Sequence, residues 1–338
     1  MLELRRRGAT LLEEGTLKGP IARLLGRAWA RRSQKVARPL DVPAGIATIG
    51  VGGATLGGSY RTPTAIAIAK RLASRAPVAR VSHGYGASLQ APRIVLPTDH
   101  ADDVGDEAVL AARLLAGAAI VVSGPSRQAS LELAVASGAR LVVFDALLQT
   151  RPTPVGFSIL ALDAERPWGS GAVPPEGDLR AEPAVLRASA DALVTIAHDG
   201  SVPGEVVPCA HRGAMRITGA REILTGRVVP LSHFDTSRVG LSTSIARPDR
   251  VRRALEAHGI VPQMIVAAAD HGPPSLPRAP VDAWLVTDKC ATWLRPDAKR
   301  PECRSHLVGV FALETEMSAP SLTAFAEAAV LDRPMAGS

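Results

Sequence analysis

The stretch from Ala44 to Leu72, AGIATIGVGGATLGGSYRTPTAIAIAKRL, leaves this chain few folds to choose from. It opens on the apolar run Ile46 to Val51, of the kind that lies buried on both faces of a parallel sheet. Gly52, Gly53, Gly57 and Gly58 follow within seven residues. Thr62 and Pro63 come next, and Pro is favoured at the first helical position because its missing N–H would be unpaired there anyway. Ala65, Ile66, Ala69 and Leu72 then share one helical face. The order predicts strand, glycine turn, helix. Such a turn aims several backbone N–H groups and the positive end of the helix dipole at one spot, which suits a phosphate. Against the pattern GxxxxGK[ST], the segment Thr55 to Thr62, TLGGSYRT, keeps only the final Thr62; Thr55 and Tyr60 stand for the glycines and Arg61 for the Lys. Two readings therefore stand, a structural turn between strand and helix or a phosphate loop of altered chemistry.

Beyond Pro77 short apolar runs alternate with helical patterns. Strands are predicted at Val78–Val81, Ala119–Val122, Arg140–Phe144, Gly156–Leu162 and Ala192–Ile196, and helices at Glu107–Leu115, Arg127–Ala136 and Pro183–Arg187. That alternation predicts an α/β fold with a P-loop NTPase-like, doubly wound, mostly parallel sheet, whose ligands bind beyond the carboxyl ends of the strands. Polar residues just after strands are then the informative ones. Ser82 to Ser88, SHGYGAS, is a glycine-flanked loop after the strand ending at Val81. Gly105-Asp106-Glu107 stands at a helix start, where Asp106 reads either as a cap or as a catalytic carboxylate. Asp145 follows the strand ending at Phe144, the place of an Mg²⁺-holding Asp in P-loop enzymes. Leu162 to Pro183 is too rich in Gly and Pro for regular structure, and long loops of that kind are functional or disordered.

From about Cys209 a second, smaller α/β domain is predicted, with an apolar run at Arg227–Leu231, helix Pro248–His258 and strand Pro262–Ala268. Strands Ala283–Val286 and Leu307–Leu313 and helix Leu322–Leu331 follow. The expected division is residues 1–43, 44–205 and 206–338, with a hinge near residues 200–212. In the first segment Leu11, Leu12, Leu17, Ile21, Leu24, Leu25 and Trp29 sit among Arg23, Arg27, Arg31, Arg32 and Lys35. This predicts a basic amphipathic helix that either lies on an anionic membrane surface or packs on its own domain.

At 338 residues and 46% hydrophobic the chain can bury a core, and with 3% aromatics the packing falls to Ala, Val and Leu. A formal net charge of +7 fits phosphate-bearing partners, though an Arg-rich solvated surface explains it as well. Aromatic platforms and RNA-binding signatures are absent, so nucleic acid is not an expected partner. Cys209, Cys290 and Cys303 are three in number, without paired metal-type spacing, and point to a reducing compartment. With neither a signal peptide nor an apolar run of about 18 residues, a cytosolic or peripheral protein is expected.

Taken together, these segments resemble the tetraacyldisaccharide 4'-kinase (lipid A 4'-kinase) family over nearly the whole chain. The family's GNxTxGGTGKTP appears as GGATLGGSYRTP, its SRGYGG as SHGYGA, and its GDE intact as Gly105-Asp106-Glu107. Its DDGxQH is DALLQT, Asp145 to Thr150, and its GNG-to-GPLREP loop is DAERPWGSGAVPPEGDLRAEP, with one residue inserted between Arg180 and Glu182. Its DHH or DHY, then LVTEKD, match Asp270-His271-Gly272 and Leu285 to Cys290, LVTDKC.

The resemblance implies a kinase that uses ATP and Mg²⁺ on the 4'-hydroxyl of a lipid-linked disaccharide, at the cytoplasmic face of the bacterial inner membrane. It implies Asp106 as base, supported by His271, and Thr62 with Asp145 as metal ligands. Thr55, Leu56, Gly57, Gly58, Ser59, Tyr60, Arg61 and Thr62 would form the nucleotide loop, and Glu107, Gln149, Arg180 and Glu182 would line the substrate side. The departures fall on the nucleotide and metal side. Tyr60 replaces a Gly, Arg61 a Lys, Ala146 the second acidic residue, Thr150 a His, His83 an Arg and Cys290 an Asp. A weakened or inactive homologue that binds lipid, nucleotide or a partner is the alternative.

Overall fold

The run predicted as the first strand is β1 (Ala47–Gly53), buried at every residue after Ala47. The computed structural model describes residues 8, 11–33, 40–146, 155–268, 271–294 and 306–331. The chain forms two compact units, the first dominated by Arg7–Ala197 and the second by Ala214–Met317.

In the first unit β1 is joined by β2 (Val78–Ser82), β3 (Arg93–Ile94), β4 (Ile120–Ser123), β5 (Leu141–Asp145), β6 (Phe157–Asp163) and β7 (Ala192–His198). The strand order is β7-β6-β1-β5-β2-β4-β3, and every pairing is parallel except β3 with β4. This is the expected α/β, mostly parallel sheet. The sequence reading omitted β3, whose two exposed residues carry no apolar pattern. The register decides where the chemistry gathers: Val51 of β1 lies opposite Asp145 of β5, so the glycine turn leaves the sheet beside that carboxylate.

The helices of this unit begin with α1 (Pro20–Ser33), then α2 (Arg61–Leu72), α3 (Ala101–Val104), α4 (Asp106–Leu114), α5 (Arg127–Ala136) and α6 (Pro183–Ala188). α2 buries Ile66, Ile68, Ala69 and Leu72, and each fully buried Ile or Leu contributes about 1.5–3 kcal/mol. It begins at Arg61, two residues before Pro63. The first-turn N–H groups have no intrahelical partner, so Pro63 costs nothing at its third position. α5 packs Leu131 and Ala134 against Val81, Val122 and Phe144.

Residues 164–182, too rich in Gly and Pro for a strand or helix, are ordered by their own polar groups. The buried Asp178 carboxylate accepts from the Ser170 N–H at 2.8 Å and the Ser170 hydroxyl at 2.9 Å, while the Ser170 hydroxyl oxygen accepts from the Asp178 N–H at 2.9 Å. Gly169, at φ 52°, is required there, because a Cβ would lie 2.2 Å from Asp178 Oδ1. The loop then reaches the glycine turn: Leu56 N–H donates to Asp178 O at 2.8 Å and Arg180 N–H to Ala54 O at 2.9 Å.

The second unit holds β8 (His211–Glu222), β9 (Val228–Val229), β10 (Val239–Thr243), β11 (Met264–Ala267), β12 (Ala283–Thr287) and β13 (Val310–Ser318), with α7 (Pro248–Ala257) and α8 (Asp288–Ala291). Its order is β11-β10-β12-β13-β8, with β9 antiparallel on β8. β10 lies between the predicted run Arg227–Leu231 and the predicted helix Pro248–His258, where no strand was expected. Its VGLST is fully buried, and Gly240 is there because a Cβ would stand 2.7 Å from the Trp284 ring. β8 was likewise unrecognised, since of HRGAMRITGARE only Ile217, Gly219 and Ala220 are buried and the in–out alternation is confined to Met215 to Gly219. Leu241, Leu255, Leu285, Phe311 and Leu313 form this unit's core.

The closing helix α9 (Pro320–Leu331) belongs to the first unit. Its Glu327 holds Arg71 and Arg75 of the α2 region at 2.9 and 2.6 Å.

Candidate functional site

The glycine turn takes its shape from two left-handed residues. Gly58 has φ 70° and Tyr60, the residue before α2, has φ 56° and ψ 21°. Tyr60 thus adopts the conformation for which the resembling family supplies Gly, at a cost of about 1–2 kcal/mol to an L-residue. Its carbonyl accepts from the Thr64 N–H at 3.1 Å and the Thr64 hydroxyl at 2.8 Å, which starts the helix. Earlier in the turn Thr55 Oγ1 donates to Gly57 O at 2.5 Å, Leu56 is exposed and Ser59 is buried. Gly53 permits that burial, since a Cβ on it would lie 2.0 Å from Ser59 Oγ.

Asp145, at the carboxyl end of β5, gathers the polar side chains. Its Oδ2 accepts from Thr62 Oγ1 at 2.8 Å, and its Oδ1 accepts from Arg61 Nε at 2.5 Å. Arg61 Nη2 reaches on to Glu107 Oε2 at 3.1 Å. A further cation, absent from the sequence expectations, completes the set: Arg80 Nη2 donates to Asp145 Oδ2. Arg80 sits on β2 opposite Val143 of β5, and its side chain is wholly buried. A charged residue inside the apolar strand VARVS was the legible signal, because a buried guanidinium requires a partner.

Asp106 opens α4 after Gly105, is buried, and its Oδ1 accepts from the Glu107 N–H at 2.8 Å. Gly105 itself stands at φ 92°. Asp106 and Glu107 are thus adjacent at one helix start, with Glu107 tied to Arg61 and its carbonyl accepting from Arg80 Nη1 at 3.5 Å. Arg180 braces the turn from the other side, donating from Nε to Thr55 O at 2.8 Å and from Nη2 to Leu56 O at 3.1 Å. Arg127, a second residue that sequence reasoning missed, opens α5 and donates to Ala146 O at 3.0 Å.

These cations sense one another. Burial first, then repulsion from Arg61, pushes Arg180 down to about 10. Burial and then Arg61 also lower Arg127, and partial burial and then Arg127 lower His83. Arg61 differs: burial pulls its pKa down, but Asp145 and then Glu107 outweigh it and the net shift is upward. A crowd of guanidiniums around a glycine turn is relieved by a polyanion, and guanidinium is the group that matches phosphate geometry.

The donor set does not make a divalent-cation site. Both Asp145 oxygens are engaged, one of them by a buried Arg, and the next position is Ala146 at φ 77° rather than a second carboxylate. Mg²⁺ demands near-octahedral oxygen ligands, and a carboxylate neutralised by two guanidiniums is a poor one. Among the described residues no cluster of three or more His, Cys, Asp or Glu side chains suits a metal.

The structure therefore brings together Arg61, Thr62, Asp145 and Glu107, with Arg180 on the turn and Asp106 beside Glu107. Glu182 is exposed at the residue before α6, and Gln149 lies outside the described residues. His271 belongs to the second unit, in the loop after β11, with φ 58°.

A family model described as tetraacyldisaccharide-1-P 4'-kinase matches residues 16–326. The tetraacyldisaccharide 4'-kinase of Anaeromyxobacter dehalogenans (strain 2CP-C) is 35% identical over 257 residues, which are 68% of this chain and 64% of that protein. The tetraacyldisaccharide 4'-kinase of Rhodopseudomonas palustris (strain TIE-1) is 32% identical over 261 residues, 75% of this chain and 72% of its own. Among solved structures, an "apo" form of LpxK from Aquifex aeolicus in complex with ATP is similar at a TM-score of 0.69, covering 97% of this chain and 99% of that one. At 20% identity that likeness speaks for the fold.

Proposed function

Because the chain belongs to the tetraacyldisaccharide-1-P 4'-kinase family, we propose that it transfers the γ-phosphate of ATP to the 4'-hydroxyl of a tetraacyldisaccharide 1-phosphate, in lipid A biosynthesis. The observation that carries this reading is the glycine turn that places Arg61 and Thr62 against Asp145, with Asp106 and Glu107 at the neighbouring helix start. In the transfer the acceptor oxygen bonds to the γ-phosphorus, the bond to the ADP oxygen breaks, and the hydroxyl proton passes to a base. Asp106 suits that base, since the Glu107 N–H fixes one oxygen of its buried carboxylate. His271 keeps the supporting role that the family pattern gives it. Thr55 to Thr62 present the backbone N–H groups, and Arg61, Arg127 and Arg180 supply positive charge to the phosphates. Glu107, Arg180 and Glu182 are assigned to the acceptor side, with Gln149 by family pattern. The metal that the resemblance assigned to Thr62 and Asp145 has no step in this account.

Attachment to an anionic membrane surface is part of the same proposal. α1 leaves Ile21, Leu24, Leu25 and Trp29 exposed on one stripe, with Arg23, Arg27 and Arg31 exposed beside it. Gly26, on its other face, packs on Val173. An apolar stripe bordered by arginines suits the acyl and headgroup boundary of a bilayer. Among the described residues no helix is long and apolar enough to cross a membrane. A peripheral position at the cytoplasmic face of the inner membrane follows from this reading.

One assay tests both parts. The purified protein, given ATP and tetraacyldisaccharide 1-phosphate in anionic vesicles, should sediment with the vesicles and yield the 4'-phosphorylated lipid. Ile21→Asp with Leu24→Asp should release it and slow transfer by about tenfold or more, since two buried aliphatic side chains are each worth about 1.5–3 kcal/mol. No product from a folded, vesicle-bound protein would sink the kinase reading. That outcome would favour the alternative, an inactive homologue, which the strained Tyr60 and the doubly paired Asp145 support.

A further inference from the structure

We propose that Arg80 stands in place of a divalent cation, so that this chain binds the polyphosphate of its nucleotide without metal. The inference rests on the nucleotide reading of the glycine turn and goes beyond it.

Three observations carry it. The Arg80 side chain is 0% exposed and that of its partner Asp145 1%, so this ion pair is a permanent part of the core. Withdrawing either member would strand a buried charge, and that holds the pair together whatever binds outside. Arg61, by contrast, is 20% exposed and bridges Asp145 and Glu107 from the solvent side. It is the guanidinium able to turn toward an incoming anion. Finally, the position after Asp145 is Ala146, whose carbonyl accepts from Arg127 at 3.0 Å. Where a second metal-binding carboxylate would stand, a third guanidinium is delivered.

The consequence is an exchange of ligands. With no anion bound, Asp145 is neutralised by Arg61 and Arg80. When a polyphosphate arrives, Arg61 moves to it, and Asp145 stays neutral because Arg80 does not move. Without Arg80, the bared Asp145 carboxylate would repel the phosphates, and a divalent cation would have to lie between them. Arg80 removes that need. Arg127 and Arg180, both lowered by burial and then by the charge of Arg61, regain favourable surroundings as the anion arrives.

The test is the affinity of the full-length protein for ATP and for inorganic tripolyphosphate, by thermal shift and calorimetry, in EDTA and in excess Mg²⁺. Ligand that binds only the folded state raises the melting temperature by mass action. The dissociation constant should change by no more than about threefold when EDTA replaces Mg²⁺, and Arg80→Met should weaken binding in EDTA by about tenfold or more, with Mg²⁺ restoring it. Binding of ATP that needs Mg²⁺ in the wild type would leave the nucleotide reading standing and overturn this inference. Metal-free binding of tripolyphosphate without binding of ATP would do the reverse. Binding of neither would overturn both. If Arg80→Met binds in EDTA as the wild type does, Arg80 is not the substitute. If that variant does not fold, the wild-type comparison decides alone.

Discussion

Asp145→Ala is expected to destabilise the protein by about 3–5 kcal/mol, the cost of leaving a buried charge without its partner. The charge in question is Arg80, wholly enclosed on β2 and joined to Asp145 Oδ2. Arg61 loses the same partner, but it is partly exposed and retains Glu107 at 3.1 Å, so its share is small. Thr62 loses the acceptor of its 2.8 Å bond, worth about 1 kcal/mol net. The diagnostic variant is the double one. With Arg80→Met added, no buried charge remains to be compensated, and most of the lost stability should return, because apolar replacement of a whole buried pair is often neutral. Urea unfolding of the two single variants and the double one yields the coupling directly. A loss below about 1 kcal/mol for Asp145→Ala, or strictly additive losses, would show that Arg80 does not depend on this carboxylate.

Asp106→Asn is expected to slow phosphate transfer by about 10²–10⁴-fold, the range for removing a positioned general base. Asn is the informative replacement because its side-chain carbonyl can still accept from the Glu107 N–H, which Asp106 Oδ1 accepts at 2.8 Å. The first turn of α4 is then preserved while the proton acceptor is lost. The melting temperature and the ATP affinity should accordingly match the wild type, with the whole effect in kcat. A loss of similar size in ATP affinity would place Asp106 in nucleotide binding, and an unchanged kcat would remove it from the chemistry.

How far the chain could be read in advance depended on the range of each signal. Ile46 to Val51, the glycines after it and the Ala65–Leu72 face are local patterns, and β1, the turn and α2 lie where they point. Asp145 was legible for the same reason, as a polar residue ending a buried run. β10 was not, because VGLST carries its meaning in contacts with distant residues: Gly240 is small for the sake of Trp284. Arg80 was overlooked for a similar reason. An Arg in an apolar strand announces a buried partner, but only the pairing of β2 with β5 says that the partner is Asp145. Tyr60 shows the opposite limit, since the sequence pointed to a conformation that a Cβ disfavours and the chain adopts it nonetheless at φ 56°.

The central claim is that this glycine turn holds a nucleotide through its own arginines. A crystal structure of the protein with a non-hydrolysable ATP analogue, grown in Mg²⁺, tests it most directly. The triphosphate is predicted to lie along the N–H groups of Gly57 to Thr62, with Arg61 turned from Asp145 onto it and Arg80 still on Asp145. A triphosphate bound elsewhere, or an Mg²⁺ coordinated by Asp145 with Arg80 displaced, would contradict the account.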